Sequence, residues 1–174
     1  MKQILYAAYG SNLLKKRFMV YINGGEYRDK VYDGCRNKTK PEEFGWMYVP
    51  HRLYFAKKSS LWGNGGIAFL NCKKETDSKY CAIVRLWKIL EEQFEDIHKQ
   101  EGKNLYNTIL FLGEKDGLEI KTITGCWMDE LNVSSLDYLK IIKDGLKETT
   151  ELDEKKIESY LNKFIPEKNF GSHS

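Results

Sequence analysis

Residues 5–13 read Leu5-Tyr6-Ala7-Ala8-Tyr9-Gly10-Ser11-Asn12-Leu13, and this run sets the architecture that we expect for the chain. The apolar and aromatic segment 2–9 is typical of a buried strand. Gly10, Ser11 and Asn12 interrupt it before a helix-like segment at 13–22. The pattern therefore predicts a strand, a tight turn and a helix in direct succession.

The rest of the chain mixes strand and helix patterns without regular alternation. Aromatic and β-branched runs typical of strands occupy 46–55, 67–72, 80–87, 105–112 and 118–128. Helical patterns occupy 89–101, the segment after Ser134 and Ser135, and 153–165. Because doubly wound parallel sheets need regular alternation, we expect an α+β fold, with a mixed, strongly bent sheet or a small β-barrel flanked by helices. The polar segment 23–44 predicts a long loop or insertion, of the kind that often carries specificity.

The amino-acid composition indicates which classes of protein the chain can belong to. The chain has 174 residues, of which 41% are hydrophobic and 30% charged, so we expect a single globular domain over residues 1–165 and a polar tail at 166–174. The formal net charge of +3 is too small and too dispersed to indicate a nucleic-acid partner. No apolar run has the length of a membrane span or a signal-peptide core, so we expect no membrane contact and a cytoplasmic location.

The cysteines and histidines are scattered. The four cysteines form no C-x-x-C pair and the three histidines lie near none of them in sequence, so we expect no zinc site, no disulfide framework and a reduced protein. His51 and His98 accompany no recognisable nucleophile elbow, which disfavours a hydrolase triad. The glycine-rich residues 63–66 precede a strand pattern and not the helix of a phosphate loop, which indicates a turn.

One carboxylate lies in an unusual place on the helix predicted at 89–101. At about 100° per residue, Leu90, Phe94 and Ile97 share an apolar face, and Glu101 is the next residue on that face, just before Gly102. Burial and the negative end of the helix dipole both disfavour its ionised form, which raises its pKa towards the range useful for proton transfer. The alternative is a helix that ends earlier and leaves Glu101 in water.

The turn at residues 9–12 is a candidate anion site. It joins a buried strand to a helix start, where backbone N–H groups lack intrahelical partners and the helix dipole is positive. Gly10 allows close approach of a ligand, and Ser11 or Asn12 could bind it or cap the helix. An ordinary capped turn is the alternative interpretation.

These residues resemble the γ-glutamyl cyclotransferases. Tyr9-Gly10-Ser11-Asn12-Leu13 is similar to the opening motif of that family, and residues 65–68, Gly-Gly-Ile-Ala, resemble its next strand. Gln100-Glu101-Gly102 resembles the segment that carries the family's catalytic glutamate, and Tyr138 lies in a segment similar to the helix whose tyrosine approaches the substrate. The resemblance extends, with gaps, from about residue 3 to 160, and the spacing between the two main motifs makes it fairly specific.

The resemblance implies a fold and a reaction. The α-amine of a small-molecule γ-glutamyl substrate would attack its own γ-carbonyl, form 5-oxoproline and release an amino acid or amine, with no metal or organic cofactor. Glu101 would serve as base and then acid, and the turn would bind the glutamyl carboxylate or the developing oxyanion. The predicted substrate-binding residues are Tyr6, Ala7, Ala8, Tyr9, Gly10, Ser11, Asn12 and Tyr138.

Several positions depart from the family pattern. A tyrosine is common where this chain has Thr108, so nearby Tyr106 is a weak candidate, and Trp127 replaces another common tyrosine. Segment 23–44 matches no part of the family pattern. Because Asn12 precedes Leu13, where the glutathione-specific branch has Tyr-Gly-Ser-Leu, glutathione is the less favoured substrate.

Two alternative functions share this pattern. One is a binding module of the same fold that recognises γ-glutamyl or small carboxylate ligands without turnover. The other is an enzyme that removes a γ-glutamyl protecting group from a biosynthetic intermediate. The sequence leaves open the leaving group, the oligomeric state and the roles of Tyr106, Trp127 and segment 23–44.

Overall fold

The computed structural model describes residues 1–166, so the predicted tail at 166–174 lies, apart from Pro166, outside the described residues. Four α-helices and nine strands follow one another in the order β1-α1-β2 to β7-α2-β8-β9-α3-α4. The helices are α1 (Lys15–Asn23), α2 (Glu91–Glu101), α3 (Leu136–Thr149) and α4 (Glu154–Asn162). The strands are β1 (Gln3–Ala8), β2 (Gly25–Tyr27), β3 (Lys30–Tyr32), β4 (Glu42–Val49), β5 (Leu53–Ser59), β6 (Gly65–Leu70), β7 (Ala82–Leu90), β8 (Thr108–Lys115) and β9 (Leu118–Thr124).

The main sheet has five strands in the order β4-β7-β1-β9-β8. Strand β1 lies at its centre, antiparallel to β7 and parallel to β9. The hairpins β2-β3 and β5-β6 form separate two-stranded sheets. The expected α+β class with a mixed sheet is confirmed, and the alternative of a small β-barrel is wrong, since the strands of residues 1–166 do not close into a barrel.

Burial of β1 explains its central position. From Ile4 to Ala8 no residue is more than 5% exposed, which matches the continuous apolar pattern of a strand covered on both faces. On one face, Tyr6 packs against Phe18 of α1 and Phe94 of α2, with ring centroids 5.5 and 6.0 Å away. Trp87 of β7 stacks on Phe18 at 5.0 Å and extends this aromatic layer. The layer fixes both helices against the centre of the sheet.

Three predicted elements differ from the structure. The segment 46–55 is not one strand, because Pro50 lacks an N–H for the ladder and the chain bends there between β4 and β5. The segment 23–44 is not all loop, since it contains the hairpin β2-β3 with Arg28 and Asp29 in the left-handed region at its tip. Helix α1 begins at Lys15 and not Leu13, because a short 3₁₀ helix at Ser11–Leu13 precedes it.

The expectation of no disulfide is wrong for one pair. Cys72 and Cys126 are joined by a disulfide across a sequence separation of 54 residues. Each follows a strand end, and the two ends already lie together, since the Leu70 N–H donates to Thr124 Oγ1 at 2.8 Å. Proximity through the fold, and not spacing along the chain, brings these cysteines together.

No helix within residues 1–166 combines the length and apolar character that a bilayer crossing requires. Nor do these residues include a cluster of three or more His, Cys, Asp or Glu side chains that could hold a metal ion.

Gly145 allows α3 to pack directly on the turn that follows β1. A Cβ atom at this position would lie 2.6 Å from Leu13 Cβ and 2.7 Å from the Leu14 backbone nitrogen. We expect Gly145→Ala to destabilise the fold by about 1–3 kcal/mol, although alanine favours helices, because backbone atoms must move to accept it. Urea unfolding measures the change.

Lys147→Ala is the control, because Lys147 is exposed on the same helix and makes only a 3.7 Å surface ion pair with Glu154. We expect it to change stability by less than about 0.5 kcal/mol. Equal stability of Gly145→Ala and the wild type would contradict close packing at this position.

Candidate active site

A cavity opens where β1 ends. It is narrow, about 30 Å³, and continues into a cleft of about 290 Å³, with Ser11, Glu101, Tyr106 and Tyr138 lining both spaces. The remaining residues of the narrow cavity come from β1, from the turn that follows it, and from β6 and β9. They are Tyr6, Tyr9, Gly10, Asn12, Ala68 and Ile123. The remaining residues of the cleft are Arg17, Tyr21, Lys30, Tyr32, Ser59, Ser60, Leu61, Trp62, Ile67, Gln100 and Leu105.

The turn at residues 9–12 is built by short-range hydrogen bonds. The Leu13 N–H donates to the Gly10 carbonyl at 3.1 Å, and the Leu14 N–H donates to the Ser11 carbonyl at 3.2 Å. The helix that begins at this turn is the 3₁₀ helix Ser11–Leu13, and α1 begins only at Lys15. Any anion binding at the turn depends on individual N–H groups and not on the dipole of α1.

Asn12 connects the turn to the carboxylate. Its side chain is 3% exposed, and its Nδ2 donates to Tyr6 Oη at 3.1 Å and to Glu101 Oε1 at 3.2 Å. The Asn12 carbonyl accepts from Trp87 Nε1 at 3.3 Å, which fixes the backbone at the same residue. The amide Oδ1 is buried without a partner among the described residues. It is available to accept a hydrogen bond from a ligand.

Glu101 is the last residue of α2, and it faces the cavity as its place on the helix predicts. Phe94 and Ile97, on the same face, are 2% and 0% exposed, and Glu101 at the end of this row is half-buried in the wall of the cavity. Burial raises the pKa of the Glu101 carboxyl above its usual value. The charge of Arg17 and the hydroxyl of Tyr21 act in the opposite direction without cancelling that increase. The carboxyl therefore exchanges its proton closer to neutrality than an exposed glutamate does.

Two tyrosines on the far side of the cavity hydrogen-bond to the backbone of one residue of β6. The Ala68 N–H donates to Tyr138 Oη at 2.9 Å, and Tyr106 Oη donates to the Ala68 carbonyl at 3.3 Å. Because Tyr138 Oη accepts from the backbone, its own hydrogen remains available to donate to a ligand. Tyr138 also packs edge-on against Trp62 at 5.1 Å, which holds the phenol at the junction of cavity and cleft.

Most of the predicted residues meet at this cavity. Those that line it are Tyr6, Tyr9, Gly10, Ser11, Asn12, Glu101 and Tyr138. Ala7 and Ala8 lie in β1 and are not part of the lining. The hydroxyl of Tyr9 is already used, since it donates to the Ile123 carbonyl at 2.6 Å. Trp127 lies outside both spaces and donates to the Leu105 carbonyl at 2.8 Å, so it supports the cleft wall from behind.

Sequence reasoning missed the residues of the cleft. Arg17 and Tyr21 are four residues apart on α1 and therefore share a helix face, which is a signal that the sequence contained. Lys30 and Tyr32 come from β3, within the segment that had no recognisable pattern. Trp62 follows β5 in a short 3₁₀ helix. Only the fold brings these three segments to one opening.

The structure is similar to solved structures of one fold family. It matches a chain described as γ-glutamyl cyclotransferase with a TM-score of 0.68 and 22% identity, covering 97% of this chain and 91% of the other. An uncharacterized protein from Homo sapiens matches with a TM-score of 0.67 and 23% identity over 98% and 92% of the two chains. YkqA from Bacillus subtilis matches with a TM-score of 0.65 and 16% identity, covering 97% of this chain and 57% of that one. The chain thus has the γ-glutamyl cyclotransferase-like fold.

Sequence comparison finds a relative that is not among these structural matches. A stretch of 102 residues is 40% identical to histone deacetylase 5 of Arabidopsis thaliana, which covers 57% of this chain and only 15% of that protein. No protein-family model matches the chain. The similarity to the plant protein is therefore confined to a small part of its length.

The raised pKa of Glu101 predicts a pH-dependent effect on stability. The folded chain holds this proton more tightly than the unfolded chain, so ionisation lowers stability as the pH rises above the unfolded value of about 4.3. We expect Glu101→Gln, which keeps an acceptor for Asn12, to melt a few degrees above the wild type, roughly 2–4 °C, at neutral pH. The difference should disappear at a pH below about 4.

Thermal unfolding followed by circular dichroism from acidic to neutral pH measures this difference. Glu95→Gln is the control, because Glu95 is exposed on the same helix. A Glu101→Gln protein that is less stable than the wild type at neutral pH would show that the ionised carboxylate stabilises the site.

Proposed function

We propose that this protein is a γ-glutamyl cyclotransferase, an enzyme that converts the γ-glutamyl group of a γ-glutamyl amino acid or amine to 5-oxoproline and releases the amino acid or amine. The single observation that carries the proposal is the half-buried carboxyl of Glu101, which accepts from Asn12 Nδ2 at 3.2 Å in a cavity lined by the turn after β1. The fold similarity supports it, but a fold does not by itself specify an activity, so the site carries the argument.

The reaction needs one group that exchanges a proton in both directions. Glu101 takes a proton from the substrate's α-amine as its nitrogen attacks the γ-carbonyl carbon and forms the ring C–N bond. The γ-amide C–N bond then breaks, and Glu101 returns the proton to the departing nitrogen. A carboxyl with a raised pKa suits both steps, because it is basic enough to accept the proton and acidic enough to return it.

The other cavity residues hold the substrate in the bent form that cyclisation requires. Asn12 Oδ1, which is buried without a partner among the described residues, accepts from the substrate's α-amine beside Glu101. The N–H groups of Ser11 and Asn12 bind the glutamyl carboxylate or the oxygen that becomes negative, and Tyr138 Oη donates from the opposite wall. Such positioning of an intramolecular nucleophile supplies much of the rate enhancement.

A second candidate function rests on the size of the narrow cavity. A space of about 30 Å³ holds a group the size of a water molecule, so a substrate must occupy the cleft or widen the cavity. A ligand that occupies the cleft alone does not reach Gly10 and Asn12, which line only the narrow cavity, so the protein would then be a binding module that recognises a γ-glutamyl or small carboxylate group without turnover. Ligand-induced thermal stabilisation without 5-oxoproline release would identify such a module.

A panel of γ-glutamyl dipeptides and amides, assayed for 5-oxoproline by chromatography, tests the enzymatic proposal. We expect release by the wild type, and a loss of at least about 100-fold in kcat for Glu101→Gln because the amide cannot exchange the proton. Glu95→Gln is the matched control on the exposed side of α2 and should retain wild-type release. Release by Glu101→Gln at the wild-type rate would refute the role of Glu101.

The pH profile depends on the groups beside Glu101. We expect kcat/KM of the wild type to fall as the pH drops through the raised pKa of Glu101, because the base must be ionised. The Tyr21 hydroxyl lowers that pKa, so Tyr21→Phe should move the acidic limb of the profile to higher pH. Steady-state kinetics across the acidic range measures the shift.

Tyr160→Phe is the control for this profile. Tyr160 Oη is also buried, but it accepts from the Ile83 N–H at 2.7 Å, away from the cavity. Its removal should lower stability without moving the limb. An unchanged limb in Tyr21→Phe would mean that Tyr21 has no influence on the carboxyl.

A further inference from the structure

The narrow cavity lies between two separate sheets. Strand β6 of the two-stranded sheet β5-β6 contributes Ala68 to its lining, whereas β1 and β9 of the main sheet contribute Tyr6 and Ile123. The two sides approach each other closely, since a Cβ atom on Gly10, in the turn after β1, would lie only 3.2 Å from Ala68 Cβ. The distance between the two sheets therefore sets the width of the cavity.

Hydrogen bonds connect the two sheets at one end. Thr124 Oγ1, at the end of β9, accepts from the Leu70 N–H at 2.8 Å and donates to the Leu70 carbonyl at 2.6 Å. Tyr54 Oη of β5 accepts from the Trp127 N–H at 2.9 Å and donates to the Gly125 carbonyl. Each such bond contributes only modestly to the net free energy, because water takes its place when the two groups separate.

The disulfide between Cys72 and Cys126 is a covalent connection at the same end. Cys72 follows the end of β6, and Cys126 follows the end of β9. In the part of the chain that the structure describes, Cys35 and Cys81 are free, so no second disulfide joins the sheets. Thermal motion breaks hydrogen bonds but not an S–S bond, so the disulfide limits how far β6 can move from β9.

This disulfide is accessible from solvent. Cys126 is exposed and Cys72 is half-buried, so a small dithiol can approach the bond. Exposed disulfides are in general more easily reduced than buried ones. In that reaction the S–S bond breaks, each sulfur receives one electron and one proton, and the dithiol is oxidised to its own disulfide.

We infer that the disulfide of Cys72 and Cys126 is a redox switch of the candidate active site. In the oxidised protein it keeps the cavity too narrow for a γ-glutamyl group, and its reduction allows β6 to move and the group to enter. This inference rests on the proposed function. A space of about 30 Å³ admits only a group the size of a water molecule, so a ligand in the cavity requires the turn and β6 to separate. Reduction removes the covalent limit on that separation.

Ligand binding and the redox state of the disulfide must influence each other equally. If a ligand binds the reduced protein more tightly by a given factor, the bound ligand favours reduction of the disulfide by the same factor. Such couplings typically amount to roughly 5- to 150-fold. The redox equilibrium of the disulfide therefore reports on the cavity without requiring turnover.

Kinetics of the wild type in its two redox states test the inference. Air-oxidised protein and protein reduced with dithiothreitol are compared on the best substrate of the γ-glutamyl dipeptide panel, with free thiols counted in each sample. We expect the reduced form to have a kcat/KM at least about 5-fold higher, mainly through a lower KM. Equal values would overturn the inference and leave the proposed function standing. Absence of 5-oxoproline in both forms would refute the proposed function, and the inference with it.

Cysteine variants assign the effect to this bond. The double variant Cys72→Ser/Cys126→Ser should have the kcat/KM of the reduced wild type, whether or not dithiothreitol is present. Cys81→Ser is the matched control, because Cys81 is a partly exposed free cysteine that lines neither space. It should keep the full response to reduction. A response to dithiothreitol that persists in the double variant would overturn the inference.

A disulfide that serves only stability gives a different result. Its loss lowers Tm in either case, because the bond closes a loop between residues 54 positions apart, so Tm alone does not decide. Far-UV circular dichroism at room temperature shows whether the reduced protein keeps its fold. A chain that unfolds on reduction would overturn the inference.

The redox equilibrium supplies a measurement that a merely structural disulfide would not change. Glu101→Gln, in which turnover is blocked, is equilibrated with a fixed mixture of dithiothreitol and its oxidised form, and the fraction of reduced protein is measured by thiol labelling. Saturating γ-glutamyl-L-alanine should raise the ratio of reduced to oxidised protein by the same factor as the tighter binding, again at least about 5-fold. An unchanged ratio would overturn the inference.

Discussion

The hydrogen bonds of the Asn12 amide are the interaction on which the site depends. One amide nitrogen joins Tyr6 of β1 to Glu101 of α2, residues that the chain separates by about half its length. The same residue receives the Trp87 indole on its carbonyl, so strand, turn and helix meet at one point. Because a carboxylate that is partly removed from water is unfavourable unless it is hydrogen-bonded, this contact stabilises the half-buried Glu101 carboxyl at the cavity.

Most residues of the narrow cavity could be predicted from the sequence, whereas those found only in the cleft could not. Glu101 was recognisable because a carboxylate at the end of an apolar helix face is a local pattern, and the glycine and polar residues after β1 are local too. The pairing of Arg17 with Tyr32, and the disulfide between Cys72 and Cys126, depend on contacts between distant segments, and a single sequence does not encode these in any short window. The form of the sheet was likewise left open, since alternation patterns do not specify closure.

Similarity in fold and similarity in sequence carry different information here. Solved structures at 22% and 23% identity agree with this chain over almost its whole length, which shows that the fold is shared. The plant relative is closer in sequence, but the matched stretch is 15% of that protein. Function therefore has to be argued from Glu101 and Asn12, because one scaffold supports many chemistries and individual side chains decide among them.

Ala68 limits which substitutions the residues around this cavity can accept. The backbone N–H and carbonyl of Ala68 hydrogen-bond to Tyr138 and Tyr106, respectively. These two hydrogen bonds do not depend on the side chain at position 68 as long as β6 is preserved. The side chain at this position matters for another reason, since Ala68 Cβ lines the cavity and lies 3.2 Å from where a Cβ on Gly10 would be. A larger side chain at position 10 or 68 would therefore fill the space between the turn and β6, next to the Tyr138 hydroxyl.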